Sequence, residues 1–176
     1  MKKNLYLLAL AASLLMAVPG KSQQTSPQQP QEPQLPYQSD KTLPSFNILE
    51  VDSTTIFNTK KLPSGKPIVL MYFSPDCEHC QHQTEAILSK MDSLKGVRFV
   101  MLTSLPFDKM KNFYFYYKLA DYKNITMGRD YEFFFSRHYG SQYVPYLAIY
   151  DRHKKLVKVF DGGTTVTNLI QLVTQD

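Results

Sequence analysis

An apolar run, Ile68-Val69-Leu70-Met71-Tyr72-Phe73, stands three residues ahead of Cys77-Glu78-His79-Cys80, which carries the only two cysteines of a 176-residue chain. A short apolar run without alternation reads as a strand covered on both faces of a sheet. Beyond it, Cys80, Thr84, Ile87, Leu88, Met91 and Leu94 recur at helical spacing, up to Gly96. Cys80 lies on that inner stripe, and Cys77 lies one turn earlier, where the helix starts. The pattern therefore makes Cys80 the buried thiol and Cys77 the exposed one. Unpaired N–H groups and the helix dipole favour a thiolate at a helix start. Strand, Cys-x-x-Cys, helix is a redox arrangement. As a structural staple the pair would close so small a loop that it would constrain the unfolded chain little. Metal binding and two inert thiols are the other readings of the pair.

The N-terminus sets the compartment in which such a pair would work. A basic start, Met1-Lys2-Lys3-Asn4, precedes a mostly apolar stretch from Leu5 to Val18, which Pro19-Gly20 ends. Residues 1–20 read as a secretory signal peptide, too short for a comfortable membrane span, with an uncleaved anchor as the alternative. No cysteine follows the stretch to carry a lipid. Residues 21–42 are rich in Gln, Pro and Ser and read as a disordered tether. Residues 43–176 suit one domain with one core. The net charge of +5 falls to +3 without Lys2 and Lys3, since residues 1–20 hold no acid. Acids and lysines are interspersed, so nucleic acid is not an expected partner.

Within the domain, residues 46–51 and 54–57 read as a hairpin and 62–67 as a loop. Val97 to Thr103 is a second apolar strand. Phe107, Met110, Phe113, Tyr114 and Tyr117 form a helical stripe, followed by a loop as far as Asp130 and a short aromatic helix from Tyr131 to His138. Residues 146–150 and 156–160 flank a polar turn and form an antiparallel hairpin. Asp161-Gly162-Gly163 turns. Thr164 or Thr165 caps a last helix with Val166, Leu169, Ile170 and Val173 inside. The aromatic run Phe113 to Tyr117 covers nearly every side of its helix, as core plus half-buried tyrosines or as a partner-binding face.

This order resembles the thioredoxin superfamily, in particular the exported TlpA/ResA-like thiol–disulfide oxidoreductases. Three stretches carry the resemblance: Leu43-Pro44-Ser45-Phe46, then Phe73-Ser74-Pro75-Asp76-Cys77-Glu78-His79-Cys80, then Tyr143-Val144-Pro145 with the strand after it. It implies an α/β, thioredoxin-like fold: a central mixed β-sheet flanked by helices, with an N-terminal β-hairpin extension. It also implies a cis Pro145 beside the sulfurs, with the Val144 backbone pairing to a client chain while Cys77 attacks the client's disulfide and Cys80 resolves the mixed disulfide. The redox-active Cys77–Cys80 disulfide would then serve with no cofactor. Two positions depart from the family. Asp76 stands where thioredoxins carry Trp, and the chain has no Trp. Met71 occupies the position of a buried carboxylate that helps move the proton of the buried thiol, leaving Glu78, Glu85 or water for that role.

Charges near the helix start tune the pair. A protonated His79 favours the Cys77 thiolate, and Asp76 and Glu78 oppose it, so an intermediate redox poise is expected. His79 and His82 with the two cysteines make a nominal metal cluster. His82, however, lies about 200° around the helix from Cys80, so no closed metal site is expected. A peroxidase is disfavoured by Ser74, where a Thr is expected. The expected activity is exchange of disulfides with client proteins in the bacterial periplasm, in the reducing direction, with an upstream membrane thiol–disulfide donor and no membrane span once the signal is cleaved. The 64 residues between Cys80 and Pro145 are fewer than the helical insertion of the family's oxidases requires. A disulfide oxidase or isomerase of the same fold, or copper or zinc delivery through the Cys/His cluster, is the alternative.

Overall fold

The computed structural model of the chain describes residues 34–174. The signal segment and most of the proposed tether lie outside these residues. Seven strands form one mixed sheet: β1 (Asn47–Glu50), β2 (Ile56–Asn58), β3 (Ile68–Tyr72), β4 (Arg98–Thr103), β5 (Ile125–Arg129), β6 (Tyr146–Tyr150) and β7 (Leu156–Asp161). Their order across the sheet is β2-β1-β5-β4-β3-β6-β7. β3, β4 and β5 run parallel, and β6 returns antiparallel to β3 with Met71 opposite Leu147. Among the described residues the α-helices are α1 (Pro36–Ser39), α2 (Glu78–Ser89), α3 (Met91–Leu94), α4 (Phe107–Tyr116), α5 (Phe134–Tyr139) and α6 (Val166–Thr174).

Alternation along β3 assigns the two faces. Val69 and Met71 point into one core with Cys80, Phe113 and Leu169, beneath α2, α4 and α6. Ile68 and Leu70 point into the other with Phe135, Tyr139 and Tyr146, beneath α5. These β3 side chains are inaccessible to solvent, and burying each contributes about 1.5–3 kcal/mol. The central strand is thus apolar on both faces, as its sequence requires.

The architecture is the α/β sheet-and-helix arrangement expected, with three local corrections. Residues 125–129, read as loop, form β5, which joins the N-terminal hairpin to the rest of the sheet. The helix after Cys77 is broken at Lys90 (φ −116°, ψ 18°), where Met91 and Leu94 turn into the core as α3. The aromatic helix α5 starts at Phe134 rather than Tyr131, because the buried Asp130 carboxylate accepts the N–H groups of Phe134 and Phe135.

Residues 34–42, assigned to the tether, carry defined structure. The Tyr37 ring lies 5.5 Å from that of Tyr139, and Thr42 bridges to Lys155. The ordered body therefore begins ahead of residue 43.

Candidate active site

β3 ends at Tyr72, and the chain turns through Ser74, Pro75 and Asp76 before α2 begins. The Cys77 N–H donates to the Ser74 carbonyl at 3.1 Å, and the Cys77 carbonyl accepts the N–H groups of Cys80 and Gln81, both at 3.0 Å. Cys77 is thereby the N-cap of α2, in extended conformation (φ −91°, ψ 118°). The same turn is fastened from the helix side, where Gln81 Nε2 donates to the Pro75 carbonyl at 3.0 Å. Both thiols are free.

The two sulfurs occupy different environments. Cys77 is half-buried, and its Sγ lies 3.8 Å from the Val144 carbonyl oxygen, to which it donates. Cys80 is 0% exposed and packs with Met71 and Phe73 in the core under α2. Burial pushes the Cys80 thiol up to about 12, which the Ser74 N–H at 3.4 Å partly opposes and the neighbouring Cys77 reinforces. The half-buried sulfur is therefore the one a second molecule can reach, whereas the other is sealed in the core.

The other predicted site residues fall around this pair in unequal roles. The Val144–Pro145 peptide bond is cis, and Pro145 is buried. Asp76 forms an ion pair with Lys109 of α4, so its charge does not stand alone beside the thiol. Glu78 and His79 are exposed, and Glu78 lies 3.9 Å from His82 one turn on. His82 faces solvent, away from Cys80. Among the described residues, no three His, Cys, Asp or Glu side chains converge to hold a metal. Met71 is fully buried. Neither carboxylate suggested in its place touches Cys80: Glu78 faces His82, and Glu85 accepts the Tyr117 hydroxyl at 3.2 Å.

Several site residues carry no signal in the sequence. Lys109 pairs across 33 positions. A cavity of about 400 Å³ beside Asp76 is lined by Pro75, Gln81, Lys109, Phe113 and Tyr116. Asp161 accepts the N–H of Tyr143, two residues ahead of Pro145, and Gln83 of α2 accepts that of Thr164. The aromatic run divides: Phe113 is buried and Tyr114 and Tyr117 are half-buried, whereas Phe115 is 63% and Tyr116 77% exposed.

The family comparison agrees with this geometry. Residues 38–172 match the family described as Redoxin. Solved structures similar to the chain include DsbF of Mycobacterium tuberculosis, in mixed oxidised and reduced forms (26% identity, TM-score 0.62, covering 73% of this chain and 92% of that one). A secreted M. tuberculosis disulfide oxidoreductase homologous to Escherichia coli DsbE is similar at 20% identity and TM-score 0.60, covering 73% and 93%. The exposed lipoprotein thioredoxin of Streptococcus pneumoniae is similar at 20% identity and TM-score 0.56, covering 73% and 98%. No curated protein sequence matches. The chain belongs to the redoxin family, within the thioredoxin superfamily, and is a thioredoxin-like thiol–disulfide oxidoreductase.

Proposed function

We propose that this redoxin-family chain is an exported enzyme that reduces disulfides in client proteins, with Cys77 as the attacking thiol and Cys80 as the resolving thiol. The observation that carries the proposal is the asymmetry of the pair. Cys77 is reachable at the N-cap of α2, whereas Cys80 is sealed beneath it. In the first step the Cys77 thiolate attacks one client sulfur. The client S–S bond breaks, and its second sulfur leaves as a thiolate that takes up a proton. In the second step Cys80, after losing its proton, attacks Cys77 Sγ and releases the first client sulfur as a thiol. The client gains two electrons and two protons, and the Cys77–Cys80 disulfide forms. An upstream membrane thiol–disulfide protein returns the pair to the dithiol.

The first 20 residues support export to the bacterial periplasm, and no helix of the described residues is long and apolar enough to cross a membrane. The reducing direction is supported by the short connection between Cys80 and Pro145. Of the tuning charges, Asp76 is offset by Lys109, while Glu78 and His79 are screened by solvent. These are weak and opposing influences, which favours an intermediate-to-reducing poise over that of a strong oxidant. Equilibration against glutathione buffers tests this. A single two-electron transition is expected well below about −120 mV, the value of a strongly oxidising relative, and nearer about −270 mV, that of thioredoxin. A midpoint near the oxidising value would make the enzyme an oxidase, and a pair that never closes would remove the activity altogether.

A further inference from the structure

The exposed end of the aromatic run borders the cavity between α2 and α4. Buried Phe113 closes the cavity from below, and Tyr116 and half-buried Tyr117 stand beside it. The Tyr116 and Tyr117 rings meet nearly at right angles with centroids 4.9 Å apart, and Tyr117 lies 4.6 Å from Phe113. The wall therefore presents aromatic rings in two orientations. Tyr116 is 77% exposed, so core packing does not account for it. An exposed aromatic side chain beside a cavity belongs to a binding surface more readily than to a core.

The charges of the cavity do not balance. Asp76 and Lys109 pair at its rim. Glu85, one turn beyond Gln81 on α2, also lines it, and makes no ion pair among the described residues. Asp76 and Glu85 against Lys109 leave one negative charge, in a chain whose net charge is +5. The Tyr117 hydroxyl donates to Glu85 Oε1 at 3.2 Å and so holds the carboxylate against the tyrosines. Burial and the Glu85 charge push that hydroxyl up to about 12, so it remains a donor at neutral pH.

A carboxylate beside tyrosine rings suits a cation, because the ring quadrupole attracts it and the carboxylate accepts its N–H groups. Position says which cation. Pro75 and Asp76 line the cavity, and Cys77 follows directly, its α-carbon about 3.8 Å from that of Asp76. A client residue one to three places from its cysteine stands at most about 10 Å away along the chain. We propose that the cavity between α2 and α4 is a specificity subsite that takes a Lys or Arg side chain of the client, close in sequence to the cysteine that Cys77 attacks. Glu85 supplies the counter-charge and Tyr116 the aromatic face. The inference rests on the oxidoreductase reading and adds to it a preference among clients.

The test compares peptide disulfides that carry arginine or citrulline, its uncharged counterpart of the same shape, one to three residues to either side of the cysteine. On the full-length protein at low salt, the ratio of kcat/KM for arginine to that for citrulline should reach about threefold or more at one placement. Glu85→Gln, whose amide oxygen still accepts the Tyr117 hydroxyl, should lower that ratio toward one. Tyr116→Ala, which removes a ring and no charge, should lower it as well. Asp92→Asn removes an equal charge from α3, outside the cavity, and should leave it unchanged. The net positive charge of the chain by itself would disfavour arginine. A ratio of one or less at every placement overturns the subsite, as does a ratio that either Glu85→Gln or Tyr116→Ala leaves unchanged, or that Asp92→Asn lowers as much. Wild-type protein that reduces neither peptide would overturn the oxidoreductase reading, and the subsite with it.

Discussion

In the proposed reaction, burial of Cys80 governs the second step. Its thiol, pushed up to about 12 by burial beneath α2, stays protonated near neutral pH, and only its thiolate can attack the mixed disulfide. The thiolate fraction of such a group rises about tenfold per pH unit below that value. Release of a client from the Cys77 mixed disulfide should therefore accelerate steadily from about pH 7 to about pH 10, by roughly tenfold per unit. Rapid-quench measurement of a preformed mixed disulfide checks this, and a rate that levels off below pH 9 would show the Cys80 thiolate to be stabilised by some other group. At this scale the sequence was informative where spacing decides the outcome. Cys80 shares its stripe with Thr84 and Ile87, and all three are buried. It was silent where contact depends on distant segments. Lys109 reaches Asp76, and Gln83 reaches Thr164, only because α4 and the turn after β7 fold back onto α2.

β5 shows what periodicity alone leaves out. Ile125-Thr126-Met127-Gly128-Arg129 is short, weakly apolar and interrupted by glycine, all of which argue for a loop. In the fold, that glycine is what lets the strand pair. A Cβ on Gly128 would lie 2.8 Å from Ile48 Cγ1 and 2.9 Å from the Leu49 carbonyl oxygen on β1. The Ile48 side chain can shift, but the Leu49 backbone can move only by parting the β1–β5 ladder, in which Leu49 faces Arg129 and Glu50 faces Gly128. Gly128→Ala should accordingly cost about 1–3 kcal/mol, read as a lower urea midpoint. An unchanged midpoint would mean that β1 does not approach β5 in this register. The strands that were legible, β3 and β4, are those whose sequence is apolar enough to be buried on both faces. The break at Lys90 leaves no mark in the periodicity, because Met91 and Leu94 continue the buried stripe across it.

At the scale of the described body, the topology gathers the site from three distant stretches at one end of the strands. The end of β3 delivers Cys77, the start of β6 brings Val144 and Pro145, and the turn after β7 closes over them. The order β4-β3-β6-β7 makes these neighbours, and the second core, beneath α5, covers the other face of the sheet. That arrangement leaves one sulfur reachable and buries the other, as the proposed division between an attacking and a resolving thiol requires. The most direct measurement of that division is the capture of a disulfide-bonded client by two variants of the full-length protein, quantified as mixed disulfide by intact mass. Cys80→Ser should accumulate a covalent client adduct on Cys77, because nothing remains to release it, whereas Cys77→Ser should accumulate almost none. Equal capture by both variants, or capture by Cys77→Ser alone, would contradict the assignment of Cys77 as the attacking thiol.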